Sequence, residues 1–452
     1  MGLAVIALPC LLYSMDLTVL NLALPAISAD LAPSSAQLLW IVDIYGFFVA
    51  GLLITMGSLG DRIGRRRLLM IGAAAFGAAS VLAAFSRSAE MLIACRALLG
   101  VAGATLAPST LSLIRNMFRD PRERSFAIGV WITSYSVGGA IGPLLGGALL
   151  EHFWWGSVFL IGVPVMILLL AVGPALLPEY RDPAAGLPDL FSVGLSLGAV
   201  LPVIYGIKRM AESGPAWMPA GAIAAGVIAG VAFVRRQRAL ADPLIDLRLF
   251  RSPTFTAPLV VYTLATFIAF GAYLFIAQYL QRVLGLSPLR AGIAMVPFFF
   301  GFIVGSMLSP QIARRIRPAF VMAGGLVLAS VGFGLLSRID ASSGVALIIA
   351  ACVAYSLGLA PAFTLTTDLI VGNAPPERAG VASAMSETGS ELGGALGIAI
   401  LGSIGTAVYG SMTAADSISR ALALNGAICA VAALLMAAGT AILLRRLPVA
   451  AR

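Results

Sequence analysis

The chain has 452 residues, 60% of them hydrophobic and only 11% charged, with a formal net charge of +9 and a mean hydropathy of +0.99. A soluble globular protein is excluded, because its surface would lack the roughly one-quarter to one-third of charged residues that face water. The apolar runs are long and continuous rather than short and alternating, which also excludes a membrane barrel and leaves an all-α polytopic membrane protein.

Against the roughly 20 residues a helix needs to cross hydrocarbon, fourteen segments qualify. They lie near 3–27, 38–59, 68–86, 91–114, 126–150, 157–177, 190–207, 217–234, 256–280, 291–312, 318–337, 343–371, 381–408 and 421–444. Span 1 carries Asp16 near its middle. Inserting a carboxylate there costs at least ~2.5–3.5 kcal/mol, so it is expected to face a wet cavity or a partner. Span 2 holds Trp40, Asp43 and Tyr45 and runs into the glycine- and arginine-rich segment 57–67. Arg96 in span 4 is the one cation within a span, and snorkelling to an interface competes with a buried polar partner as its explanation. Span 5 contains Trp131, Tyr135 and a glycine run that includes Gly142 and Pro143. Such glycines permit close helix approach and the proline permits a bend. Pro and Gly interrupt spans 7 and 8. Asp368 lies near the end of span 12, where a solvated acid is cheap, and that is its expected state. In span 13, Glu387 and Glu391 are four residues apart and share a helix face.

Arginines accumulate in alternate connections: Arg62, Arg65, Arg66 and Arg67; Arg115, Arg119, Arg122 and Arg124; Arg235, Arg236 and Arg238; Arg314, Arg315 and Arg317. The positive-inside rule then places both termini in the cytoplasm and requires an even number of spans. The first span is too long for a cleaved leader and is expected to stay in place. Four cysteines in apolar stretches and a single histidine, His152, offer neither metal-ligand spacing nor a disulfide framework. Hydrolytic and metal chemistry therefore have little to work with, and the chain is not expected to be an enzyme or to hold a metal or cofactor. The positive charge sits in loops and signals no nucleic-acid partner. Segment 57–67 is echoed by 305–317: both open on Gly-Ser and close on arginines, with Ser309 where the first copy has Asp61. Such a repeat suggests two six-helix halves, with spans 7 and 8 inserted between them.

Four motifs carry a family resemblance. GSLGDRIGRR, with Gly57, Asp61, Arg62, Gly64 and Arg65, resembles the loop 2–3 signature of the major facilitator superfamily. Arg96 in IACRALLGVAGA is similar to its span 4 motif, and GGAIGPLLGG, with Gly142 and Pro143, to the span 5 motif of antiporters. The stretch 16–25, DLTVLNLALP, is similar to span 1 of the fourteen-helix drug:proton antiporters. With LLWIVDIY in span 2, the chain resembles the QacA/SmvA/LfrA-like multidrug exporters.

The resemblance implies a major facilitator fold of 14 spans: a six-helix half over 1–178, two extra helices with their loops over 179–251, and a second half over 252–452. It implies a proton-coupled antiporter, driven by the proton motive force, in the bacterial cytoplasmic membrane. The exported substrates would be lipophilic cationic drugs: quaternary ammonium compounds, dyes and, as a further class, fluoroquinolones. Asp16, Asp43, Glu387 and Glu391 would couple proton and cation, with Glu387 and Glu391 alternatives for the working acid. Burial of a carboxyl favours its protonated form, which an approaching cation then displaces. Trp40, Tyr45, Trp131 and Tyr135 would line the substrate cavity by cation–π contact. Gly57, Asp61, Arg62, Gly64, Arg65, Arg96, Gly142 and Pro143 would govern gating, although the loop arginines serve equally as positive-inside anchors. The expected partners are lipophilic cations, protons and lipid, and the expected state is a monomer. Export of an endogenous metabolite, lipid or antibiotic on the same fold is the alternative. One departure is the short segment 409–420, where related drug exporters carry a long extracellular insertion.

Overall fold

A computed structural model describes residues 2–181, 189–213, 216–240, 243–286, 288–375, 378–406 and 414–444. Residues 409–413 of the segment 409–420 therefore lie outside the described residues, and 414–420 open the last helix. Every long element is a helix: α1 Gly2–Leu31, α2 Ser35–Ile63, α3 Arg65–Ala84, α4 Ala89–Met117, α5 Pro121–His152, the short α6 Ser157–Leu160, α7 Gly162–Leu176, α8 Leu190–Ser213 and α9 Trp217–Ala239. A 3-10 turn at Leu247–Arg251 then leads into α10 Pro253–Gln278, α11 Pro288–Ala313, α12 Pro318–Leu336, α13 Val345–Gly372, α14 Ala379–Thr406 and α15 Ala414–Leu443.

Among the described residues, 12 helices are long and apolar enough to cross a membrane. Helices α1 and α14, of 30 and 28 residues, stand outside that set. The two glutamates and many small residues of α14 dilute its apolar character.

Local sequence sets the helix ends. Ser34 and Gln37 form a reciprocal capping box at the start of α2, and Ser88 and Asp120 cap α4 and α5. Pro121 occupies the first turn of α5, where its missing N–H costs nothing. Between α2 and α3 the turn is a single residue, Gly64, at φ +112°, a conformation that side chains with a Cβ rarely adopt.

Helices α1 to α5 and α7 pack around one hydrophobic core that includes Ile6, Tyr45, Leu99 and Trp131. Helices α10 to α15 pack around another that includes Phe275, Phe333 and Tyr355. The two groups meet along α2 with α14 and α5 with α11. Helices α8 and α9 pack on each other, and α8 lies against both α2 and α14. There, Leu197 and Leu201 lean on Gly51, beside Phe47, Ala50 and Ile204.

Candidate functional site

The acids predicted in spans occupy different surroundings. Asp16 on α1 meets Arg96 of α4, Oδ2 to Nη1 at 2.6 Å, with the two side chains 14% and 1% exposed. Arg96 also donates to the Ile41 carbonyl of α2 at 3.2 Å and lies 4.7 Å from the centre of the Tyr45 ring. One buried guanidinium thus ties α1, α2 and α4 together. Sequence alone could show the charge of Arg96 but not its partner, which lies 80 positions away.

On α14 the two glutamates face the α1–α5 group. Glu391 accepts a hydrogen bond from the Tyr13 hydroxyl at 3.1 Å, across the boundary between the helix groups. Glu387 is 8% exposed, and its buried Oε1 has no hydrogen-bond partner among the described residues. Leaving a buried acid in that state is costly, and functional sites tolerate such a cost. Asp43 on α2 is half-buried and engaged in a polar or electrostatic interaction of its own.

Aromatic rings surround this boundary. Tyr13 packs 6.0 Å from Tyr45 and 5.7 Å from Tyr135, and Trp131 sits 4.8 Å from Tyr135. Trp131 donates its indole N–H to Thr110 at 3.0 Å, which fixes the ring. From the other group, Tyr262 packs on Phe363 at 5.2 Å and Phe302 on Phe363 at 5.4 Å. Phe302 and Phe363 also pack against the core of α1 to α7, so they span the boundary. Tyr45, Trp131 and Tyr135 therefore share one aromatic cluster. Trp40 does not: it is 39% exposed and packs on Phe47 near the start of α2, where it faces outward. Tyr13 went unnoticed in the sequence, because a tyrosine in an apolar run reads as core.

One end of the bundle is fastened across the two groups. Asp61, at the end of α2, accepts from Arg65 Nε at 2.9 Å and Nη2 at 2.7 Å. The same carboxylate accepts the backbone N–H groups of Gly380 at 3.1 Å and Val381 at 3.3 Å, which open α14. A carboxylate is well placed at a helix N-terminus, where free N–H groups and the helix dipole favour negative charge. Gly57 lets α2 approach this closely: a Cβ there would lie 2.5 Å from the Gly380 carbonyl oxygen. Arg62 bonds to Ser58 at 3.3 Å, within α2.

Two further contacts fasten the same end. Arg115 of α4 donates to the Val371 and Gly372 carbonyls at the end of α13, at 3.3 and 3.5 Å. Arg124 of α5 pairs with Asp368 of α13 at 2.8 Å, the side chains 11% and 15% exposed. The expectation of a solvated Asp368 is thereby corrected. Its position one turn from a helix end was legible, but the arginine that α5 brings over it was not.

Glu179 makes a contact with no sequence signal. From the segment after α7, its carboxylate accepts the backbone N–H groups of Arg66 and Arg67 at 3.1 and 3.0 Å, capping α3. The Tyr180 carbonyl accepts the Arg65 N–H at 3.1 Å, and the Arg65 guanidinium lies 4.9 Å from the Tyr180 ring centre. The glycine run of α5 lies where two neighbours come close. Gly138 abuts the Leu11 carbonyl and Gly146 abuts Val19 of α1, while Gly139 faces Phe299 of α11. Gly142 is buried, and the side chain of Pro143 lies outside what the structure describes. The arginine cluster of the second copy, 314–317, likewise follows the end of α11, and Ser309 bonds within that helix to the Gly305 carbonyl.

A bundle of membrane-length helices, with buried acids and aromatics facing each other across two packed groups, defines a membrane transporter. The chain belongs to the Major Facilitator Superfamily, whose family model matches residues 6–398. It is 47% identical over 410 residues to the multidrug efflux pump LfrA of Mycolicibacterium smegmatis, covering 91% of this chain and 81% of the relative. It is 36% identical over 401 residues to the methyl viologen resistance protein SmvA of Salmonella typhimurium, covering 88% and 81%. The fold matches the crystal structure of the human organic anion transporter MFSD10 at a TM-score of 0.68 and 16% identity, over 97% of this chain and 98% of that one.

Proposed function

We infer that the chain is a proton-coupled antiporter that exports lipophilic cationic drugs, quaternary ammonium compounds and dyes foremost, across the bacterial cytoplasmic membrane. The observation that carries the reading is Glu387: a buried carboxyl whose Oε1 has no partner among the described residues, one turn from Glu391 and interacting electrostatically with Tyr13 and Tyr135 across the boundary of the helix groups. An acid in such surroundings binds either a proton or a cation, and the rings add cation–π attraction for the latter. The chemistry that the names of LfrA and SmvA state for those proteins, efflux of several drugs and resistance to a viologen dication, supports the same substrate class.

On this reading α1 and α14 span the membrane along with the other twelve helices, since 28 to 30 residues reach about 42–45 Å at 1.5 Å each. The two packed groups are the transporter halves over 1–178 and 252–452, and α8–α9 are the inserted pair within 179–251. The fastened end, where the arginines cluster, is cytoplasmic, as are both termini. Glu387 binds proton and cation competitively, Glu391 and Asp43 assist, and Asp16 takes up a proton by exchanging its pairing with Arg96. The contacts of Asp61, Arg115 and Arg124 hold the cytoplasmic side shut, and transport requires their release.

The test is gradient-driven uptake of ethidium into inverted proteoliposomes by the purified protein. Wild-type protein should accumulate ethidium when the vesicle lumen is made acid and release protons when ethidium is added in detergent. Both signals should be lost in Glu387→Gln and Asp16→Asn. Coupled transport at the wild-type rate in both variants would falsify the mechanism.

A further inference from the structure

Asp16 also borders a cavity that lies away from the boundary where the two helix groups meet. Leu12, Asp16 and Leu20, successive turns on one face of α1, line it with Phe76 and Ser80 of α3 and Gly162 of α7. All of these belong to the first helix group, and Asp16 is the charged group in the lining. The cavity lies in the half of the bundle remote from the Asp61 clasp. Helix α3 begins at the clasp with Arg65, and Ser80 is about one turn from its other end, where α6 and α7 begin. Tyr13, on the adjacent face of α1, points instead to Tyr45, Tyr135 and Glu391. Helix α1 thus separates the aromatic rings and glutamates on one side from the Asp16 cavity on the other.

We propose that this cavity is a proton port: a water-holding site between α1, α3 and α7 through which Asp16 exchanges protons with the medium, separate from the route of the drug. The proposal rests on the antiporter reading above and adds the path. The Asp16 carboxylate and the Ser80 hydroxyl in the lining supply the polar partners that a buried water needs. The proton step balances simply. Hydronium transfers its proton to Asp16 Oδ2 and leaves as water; the Asp16–Arg96 ion pair opens, and Arg96 keeps its charge. Arg96 is not stranded, because the Ile41 carbonyl and the Tyr45 ring still hold it. A port of this kind lets the proton arrive while a drug still occupies the boundary between the groups.

Gly162 provides the test. A Cβ there would lie 3.4 Å from Phe76 and 3.8 Å from Leu12 and Ser80, ordinary contact distances, so a small side chain enters the cavity without displacing its walls. Gly162→Val should leave ethidium affinity within about twofold of wild type, yet slow gradient-driven efflux about tenfold or more, with Gly162→Ala intermediate. In a Ser80→Cys protein, a small water-soluble thiol reagent should modify the introduced thiol equally fast with and without saturating ethidium. Adding Gly162→Val should block that modification. An unreactive thiol, protection by ethidium, or wild-type coupled efflux in Gly162→Val overturns the port. If Asp16→Asn abolishes coupling and Gly162→Val does not, only the port fails. If Asp16→Asn and Glu387→Gln both retain coupling, the antiporter reading fails with it.

Discussion

Asp61→Asn should shift the protein toward the state in which the clasp end is open. When α2 and α14 separate, Asp61 keeps Arg65, four residues along its own chain, and loses only the Gly380 and Val381 N–H groups. Asparagine retains one acceptor oxygen for Gly380 but turns an amide N–H₂ toward the Val381 N–H. The loss is therefore one hydrogen bond to a charged group, about 1.5–3 kcal/mol, and the favourable charge at a helix N-terminus, about 0.3–1 kcal/mol. A net change of about 2–3 kcal/mol alters the closed-to-open ratio by about 30- to 150-fold. Pulsed electron paramagnetic resonance between nitroxides at Arg67 and Arg315, exposed positions at the fastened end on the two helix groups, reads that ratio directly. The expected result is a second, longer distance that dominates in Asp61→Asn and is minor in wild type. Identical distance distributions in the two proteins would refute the claim that these two backbone contacts hold the end shut.

Gly57→Leu should open the same end by another cause, since its side chain collides with the Gly380 carbonyl and Ala384; the same pair of labels checks it. Reversing either Arg124 or Asp368 to the opposite charge leaves two like charges where a half-buried pair stood, a loss of the order of 3–5 kcal/mol if burial were complete and less here. Either single reversal should lower the thermal midpoint and populate the longer distance, and the double swap should restore both. Glu179→Gln should weaken the cap on α3 by no more than about 1 kcal/mol, because the carboxylate is partly exposed. A fall of a few degrees in the thermal midpoint, with ethidium affinity unchanged, is the expected reading.

The sequence made the helices legible because crossing hydrocarbon permits little else: twenty apolar residues are a plain signal. It also disclosed the unusual groups, since a charge in such a run stands out. What it left hidden is pairing. Asp16 and Arg96 were each conspicuous, but nothing in the spacing of positions 16 and 96 says that α1 and α4 bring them to 2.6 Å. Asp368 read as solvated because a helix end is wet by default, and only the docking of α5 puts Arg124 there. Trp40 failed in the opposite direction. It shares a segment with Tyr45, but five positions turn through about 500° of helix, which puts the two about 140° apart, and only one faces inward. Glu179 carried no signal, because a carboxylate in a polar connection is unremarkable until a helix start is found beneath it.

The placement of α8 has a consequence for how the molecule meets lipid. By lying over α2 and α14, this helix covers one of the two lines along which the helix groups join, and the α5–α11 line has no such cover among the described helices. The two flanks are therefore unequal. A molecule dissolved in the bilayer that drifts against one flank meets a continuous apolar wall, whereas on the other it meets the join itself, with Phe299 against Gly139. Whatever its internal repeat, the protein presents the membrane with a back and a front.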